Sequence, residues 1–150
     1  MSVLEFDNAN SIFYTYNPPT SDAGVTFVFF NALTGDFGMW EGEIGDALRD
    51  AGHGTLSFNF RGQAQSPIGR DVTIDAAQMT ADTGKVLEHV KPQRAVLVGL
   101  SIGGLFAIQA WLDGLDNVDG VGNVFVNTLR RDGPRLQWIN DGMTRCVEVG

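Results

Sequence analysis

Two short β-prone stretches open the chain, Val3–Phe6 and Ile12–Tyr16, and the turn-rich Asp7-Asn8-Ala9-Asn10 lies between them. This pattern predicts a hairpin. Pro18-Pro19 ends the second stretch. Thr26–Phe30 is a continuous β-branched and aromatic run, as in a strand buried on both faces. Spacing turns helical over Met39–Ala51, where Trp40, Ile44, Ala47, Leu48 and Ala51 share a face, and Gly52 and Gly54 stop it. Thr55–Phe60 predicts the next strand. Thr73–Val90 predicts a helix with Ile74, Ala77, Ala81, Val86, Leu87 and Val90 on its apolar side, ended by Pro92. Ala95–Val98, Leu105–Leu112 and Val124–Val126 read as strand, helix and strand, and Trp138, Ile139, Met143 and Val147 recur at helical spacing.

Alternation of buried strands with helices implies one α/β domain over residues 1–150. Its sheet is expected to be mostly parallel with helices on both faces, preceded by the antiparallel hairpin. In such sheets ligands sit at the carboxyl ends of the strands.

Composition narrows the function. Ten Lys+Arg against 18 Asp+Glu give a net charge of −8, which argues against nucleic-acid or anionic-membrane partners, since both need a basic footprint. The lone Cys146 excludes an intramolecular disulfide framework and a Cys-rich metal site. Two histidines, His53 and His89, leave little for zinc. The N-terminus has no secretory pattern, and the longest apolar run is far below the ~18–20 residues of a membrane span. The expectation is a soluble, cytoplasmic protein.

Chemistry concentrates at Gly99-Leu100-Ser101-Ile102-Gly103, a G-x-S-x-G pattern between a buried strand and a helix. There a serine on a tight turn projects its hydroxyl from the strand's carboxyl end, and flanking glycines avoid Cβ clashes. The N–H of Ile102, opening the helix, then faces charge developing on a substrate oxygen. The pattern alone also fits a glycine-rich turn with Ser101 as an ordinary N-cap.

The chain resembles the α/β-hydrolase superfamily on more than this motif. Phe29-Phe30-Asn31-Ala32-Leu33-Thr34-Gly35, with Met39-Trp40 after it, is similar to that family's oxyanion loop, usually His-Gly-x-x-Gly with a tryptophan downstream. Phe60-Arg61-Gly62-Gln63-Ala64-Gln65-Ser66 resembles its Arg-Gly-x-Gly-x-Ser segment. Asn31-Ala32 stands for His-Gly and Ala64 for a glycine, and a positive φ at Ala32 would strain the loop. The resemblance implies Ser101 as nucleophile, Gly99 and Gly103 as elbow glycines, and the N–H groups of Leu33 and Ile102 as oxyanion donors. It implies no metal or organic cofactor. Serine, rather than aspartate, points to ester, lactone and related acyl substrates.

A serine nucleophile needs a base. His53 and His89 each precede a strand, at the amino edge of the sheet and opposite Ser101, so both read as structural. Asp132, in Arg130-Arg131-Asp132, follows Val124–Val126 and is the acid candidate on the carboxyl edge, with a surface ion pair as the plainer alternative. The resemblance covers the front part of the family's fold, without its cap region and last strands, and a histidine elsewhere would serve as base. The leading reading is a serine hydrolase of a small acyl compound. Its rival is a catalytically incomplete binding module that associates through an open sheet edge. A dinucleotide-binding domain is disfavoured, because no G-x-G-x-x-G follows the first parallel strand.

Overall fold

The computed structural model describes residues 1–114, 117–123, 127–132, 135–140 and 143–148, with side chains as far as Val121. Strands β1 (Ser2–Asp7) and β2 (Asn10–Asn17) form the expected antiparallel hairpin, Leu4 opposite Ile12. β3 (Thr26–Phe30) leads through α1 (Gly38–Glu41) and α2 (Glu43–Asp50) to β4 (Gly54–Phe58). Then come α3 (Ala76–Val90), β5 (Ala95–Gly99), α4 (Ile102–Leu112) and β6 (Val118–Asn123). Three further strands complete the described sheet: β7 (Asn127–Asp132), β8 (Arg135–Asn140) and β9 (Met143–Glu148).

Strand order is β1-β2-β4-β3-β5-β6-β7-β8-β9 in one mixed sheet. β4, β3, β5 and β6 run parallel, and the strands on both sides of them pair antiparallel. Alternation along β3 separates the two faces. Val28 and Phe30 join Leu56, Phe58 and Leu97 in the core under Met79, Val86 and Leu87 of α3 and Phe106, Ala107 and Ala110 of α4. Phe29 points the other way and stacks on Trp40 of α1, ring centroids 4.7 Å apart. Helices therefore cover both faces. Rings link the larger core in series: Phe30 to Phe58 at 5.4 Å, Phe58 to Phe60 at 5.4 Å, and Phe60 to Phe106 at 5.3 Å, spacings typical of favourable edge contacts.

Several local expectations are corrected. The helix over Met39–Ala51 divides at Gly42, whose ψ of −126° is not helical. The break rotates the second segment, so Trp40 stays buried while Ile44 is 48% exposed and Gly45 turns inward. α3 starts later than the apolar pattern suggests, because the Asp75 side chain caps it by accepting the Gln78 N–H at 2.8 Å. Its inner face is Met79, Asp82, Thr83, Val86 and Leu87, with Ile74 outside the helix and Ala77 and Ala81 exposed. The expected helix through Trp138, Ile139, Met143 and Val147 is instead the antiparallel pair β8–β9, with Trp138 opposite Arg145 and Leu136 opposite Val147. Thr, Val, Ile and Trp are strand formers, and Asp141-Gly142 is a hairpin dipeptide in sequence. Val124–Val126 lies outside the described residues; the strand beside β5 is β6, immediately before it.

Among the described residues, no helix is long and apolar enough to cross a membrane.

Candidate active site

β3 is flanked by β4 on one side and β5 on the other. The connection after β3 crosses one face of the sheet and the connection after β5 crosses the other. Diverging connections at the carboxyl ends of β3 and β5 mark the position where open α/β sheets bind ligands. Ser101 stands there, one residue beyond Leu100, whose N–H donates to the Phe30 carbonyl at 3.0 Å.

Ser101 has φ 56° and ψ −122°, a backbone conformation that L-residues rarely adopt. An N-cap serine normally has extended dihedrals and accepts an N–H of the first turn; Ser101 has neither the dihedrals nor the side-chain cap bond. Its side chain is exposed. Both neighbouring glycines have steric reasons. A methyl at Gly99 would overlap the backbone of Gly103 and Gly104, and one at Gly103 would overlap the carbonyls of Phe30 and Asn31. α4 is thus seated directly on the end of β3. Ile102 is its first residue, and N–H groups in a first helical turn have no partner within the helix.

The loop after β3 lies between the other two. Gly35 donates its N–H to the Ala32 carbonyl at 3.0 Å, closing a turn with Leu33 and Thr34 at its centre. The Leu33 side chain is 60% exposed. Ala32 does not have positive φ, so replacing the usual glycine costs nothing there. That strain falls on Ala64, which has φ 42°.

Beneath the loop, Asn31 is fully buried and does what its position requires through its amide. Its Oδ1 accepts the Trp40 indole N–H at 2.8 Å, and its Nδ2 donates to the Phe58 carbonyl at 2.9 Å and to Asn59 Oδ1 at 3.0 Å. Asn59 Oδ1 also accepts the Phe37 N–H at 2.7 Å, and Asn59 Nδ2 donates to Gln65 Oε1 at 3.2 Å. Gln63 joins this network from the segment after β4. Its Nε2 donates to the carbonyls of Ala32 (2.8 Å) and Leu33 (2.9 Å), and its Oε1 accepts the Phe60 N–H (3.1 Å) and Asn31 Nδ2 (3.3 Å).

The rest of that segment is structural. Ser66 accepts the Phe13 N–H at 2.9 Å and donates to the Asn59 carbonyl at 3.1 Å. Arg61 and Asp82 form a bidentate pair, both bonds 2.6 Å, with the side chains only 7% and 2% exposed. Arg61 Nη1 also donates to Asn10 Oδ1 at 3.1 Å, and the guanidinium lies 5.0 Å from the centre of the Phe6 ring.

The remaining sequence candidates lie elsewhere. His53 precedes β4 at the amino edge, where its Nδ1 accepts the Val25 N–H at 3.3 Å. His89 is in the last turn of α3, its Nε2 3.0 Å from the Tyr14 hydroxyl. Asp132 does not follow a strand at the carboxyl edge. β7 pairs antiparallel with β6, Asn127 opposite Asn123 and Arg130 opposite Gly120, while Asn123 is level with Gly99. Asp132 therefore ends a strand running back toward the amino edge, away from Ser101. The expected strand at Val124–Val126 lies outside the described residues, and the strand that Asp132 ends is β7. Gln63 and Asn59 are the residues that motif reading overlooks, because their partners lie far away in sequence. The tight spacing of polar residues from Asn59 to Ser66 is the one signal for them.

Comparison with known proteins agrees with this architecture. The family model described as "alpha/beta hydrolase fold" matches residues 25–144. Over 90 residues the chain is 32% identical to RutD of Variovorax paradoxus, named as a carbamate hydrolase, which covers 60% of this chain and 34% of that protein. The chain thus spans about a third of the length of this curated relative. Among solved structures, a carboxylesterase of the thaumarchaeon Nitrososphaera gargenis superposes with a TM-score of 0.71 at 20% identity, over 81% of this chain and 44% of that one. Est816, described as an N-acyl homoserine lactone degrading enzyme, superposes with a TM-score of 0.64 at 27% identity, over 81% and 43%. With its sheet order, its serine turn and the loop packed beside it, the chain belongs to the alpha/beta hydrolase fold family.

Proposed function

We propose that the protein is a serine hydrolase of a small acyl compound, an ester or a lactone, working through an acyl-enzyme intermediate. The observation that carries this reading is the Ser101 backbone, held at φ 56° where the connections leaving β3 and β5 diverge. Strain of this kind costs about 1–3 kcal/mol and persists only where the surroundings enforce it. Here it lifts a hydroxyl clear of the sheet. Ser101 Oγ attacks the substrate carbonyl carbon and passes its proton to a histidine outside these 150 residues. The carbonyl electron pair moves onto oxygen, and the N–H groups of Ile102 and Leu33 hold that oxyanion. Collapse of the tetrahedral adduct breaks the acyl C–O bond, and the departing oxygen takes the proton back from the histidine, leaving as an alcohol from an ester or staying on the acyl chain as a hydroxyl from a lactone. Water then attacks the acyl-serine by the same steps and releases the acid.

The named activities of RutD and Est816 support an acyl carbon bearing an oxygen or nitrogen leaving group as the reacting centre. The negative net charge favours neutral substrates over anionic ones. A second reading, a binding module that keeps the anion pocket without turnover, is favoured by the placement of both histidines away from the Ser101 edge. β1, at one edge of the sheet, would be its surface for self-association.

A fluorophosphonate probe on the full-length protein separates the two. The expected result is one covalent adduct at Ser101, located by peptide mass spectrometry and lost in Ser101→Ala. A folded protein that fails to label overturns the hydrolase reading in favour of the binding module.

A further inference from the structure

Leu33 is a candidate oxyanion donor only if its peptide plane is turned the right way, and a β-turn alone does not guarantee that. The turn bond from Gly35 N–H to Ala32 C=O ties the plane between Ala32 and Leu33 to the turn, but it does not fix how the turn as a whole faces Ser101. A trans peptide is planar, with its C=O and N–H pointing in opposite directions, and the described chain has no cis bond. Whatever captures the Ala32 carbonyl therefore aims the Leu33 N–H the opposite way.

From outside the turn, the Gln63 carboxamide captures it beside the Gly35 bond. One nitrogen donates to two successive carbonyls, Ala32 and Leu33, at 2.8 and 2.9 Å. Its own orientation is fixed by the Oε1 bonds to Phe60 N–H and Asn31 Nδ2, and the residue is 8% exposed. The sheet order supplies the direction. Gln63 follows β4, the loop follows β3, and Ser101 follows β5, with β3 in the middle. Carbonyls drawn to the β4 side leave the Leu33 N–H facing the β5 side.

We propose that Gln63 is the positioning residue of the oxyanion site, turning the Leu33 N–H toward Ser101 by holding the Ala32 and Leu33 carbonyls on the opposite side of β3. This rests on the serine-hydrolase reading for its kinetic consequence, but not for its geometry. The Oε1 bonds alone would anchor the loop. The two Nε2 bonds orient it, so Gln63→Glu, which keeps an acceptor and replaces the NH2, is the informative variant. Gln63→Met removes both functions at similar length.

Two readouts test it on the full-length protein. Fluorophosphonate labelling gives a stoichiometry, which reports the fraction of competent sites, and a rate constant per site, which reports oxyanion stabilisation. Loss of one oxyanion donor typically costs about 10²–10³-fold. The expected result in Gln63→Glu is unchanged stoichiometry with a rate constant roughly 10- to 100-fold lower. A lower stoichiometry with an unchanged rate per labelled site assigns Gln63 to folding alone and overturns the proposal, as does an unchanged rate in either folded variant. Backbone amide resonances of Leu33 and Thr34 report the peptide planes whether or not Ser101 labels. Movement of both, confined to residues 32–35, supports the proposal even if the wild-type protein is inert, in which case only the hydrolase reading fails. Unmoved resonances in Gln63→Glu overturn it.

Discussion

Ser101 pays in backbone strain for the exposure of its hydroxyl, and that cost can be measured. Ser101→Gly and Ser101→Ala both delete the hydroxyl, but only glycine adopts φ 56° and ψ −122° without penalty. Relief of about 1–3 kcal/mol, less the roughly 0.5–1 kcal/mol of extra chain entropy that glycine loses on folding, leaves Ser101→Gly about 1 kcal/mol more stable than Ser101→Ala. Thermal or urea unfolding of the pair checks this; equal stabilities would mean that the turn holds no strain. Some of the residue scale is legible in sequence and some is not. Gly99 and Gly103 are legible because each sits where any Cβ would overlap backbone. Gln63 is not, because its two carbonyl partners lie about thirty positions earlier and no periodicity links them.

At the scale of elements, the hairpin of β1 and β2 is closed by Asp7, whose carboxylate accepts the Ala9 N–H at 2.8 Å and Asn10 Nδ2 at 2.9 Å. The Ala9 bond first, and then Asn10, holds its pKa below the ordinary 3.8. A depressed folded-state value means that the ionised carboxylate favours the folded hairpin. That contribution is complete above the unfolded value and is lost as pH falls through the lower folded one. Unfolding followed between about pH 5 and pH 2 should show an acid limb that flattens in Asp7→Asn; an identical limb would place the loss in other carboxylates. Strands read from β-branched and aromatic runs match β1 to β5 closely, because burial on a sheet demands those side chains. Helix faces are read less well. Asp82 lies on the buried side of α3, where a search for apolar residues passes over it, and Gly42 resets the register between α1 and α2. The spacing of Trp138, Ile139, Met143 and Val147 fits a helix and a β-ladder alike, and only pairing with distant strands decides between them.

For the whole molecule, the Arg61–Asp82 pair is a junction. It joins the loop after β4 to α3 and, through Asn10, to the hairpin; Asn10 Oδ1 in turn accepts the Gly69 N–H at 2.9 Å, and Gln78 Nε2 donates to Asp82 Oδ1 at 2.9 Å. Removing one partner leaves a buried, uncompensated charge. Asp82→Ala should therefore cost about 3–5 kcal/mol, whereas an apolar replacement of both partners, Arg61→Met with Asp82→Leu, should recover much of that loss. Urea titration of the single and double variants tests this, and additive losses would show that the pair does not act as a unit.

The groups beneath the loop after β3 are the side-chain amides of Asn31, Asn59, Gln63 and Gln65 and the indole of Trp40. None of them gains or loses a proton in the range where proteins stay folded. The cradle is thus blind to acidity: as the medium changes, the loop above it keeps one shape. In the proposed hydrolase, any bell or step in a rate profile would then belong to the catalytic base and the substrate, with no contribution from the scaffold beneath the loop.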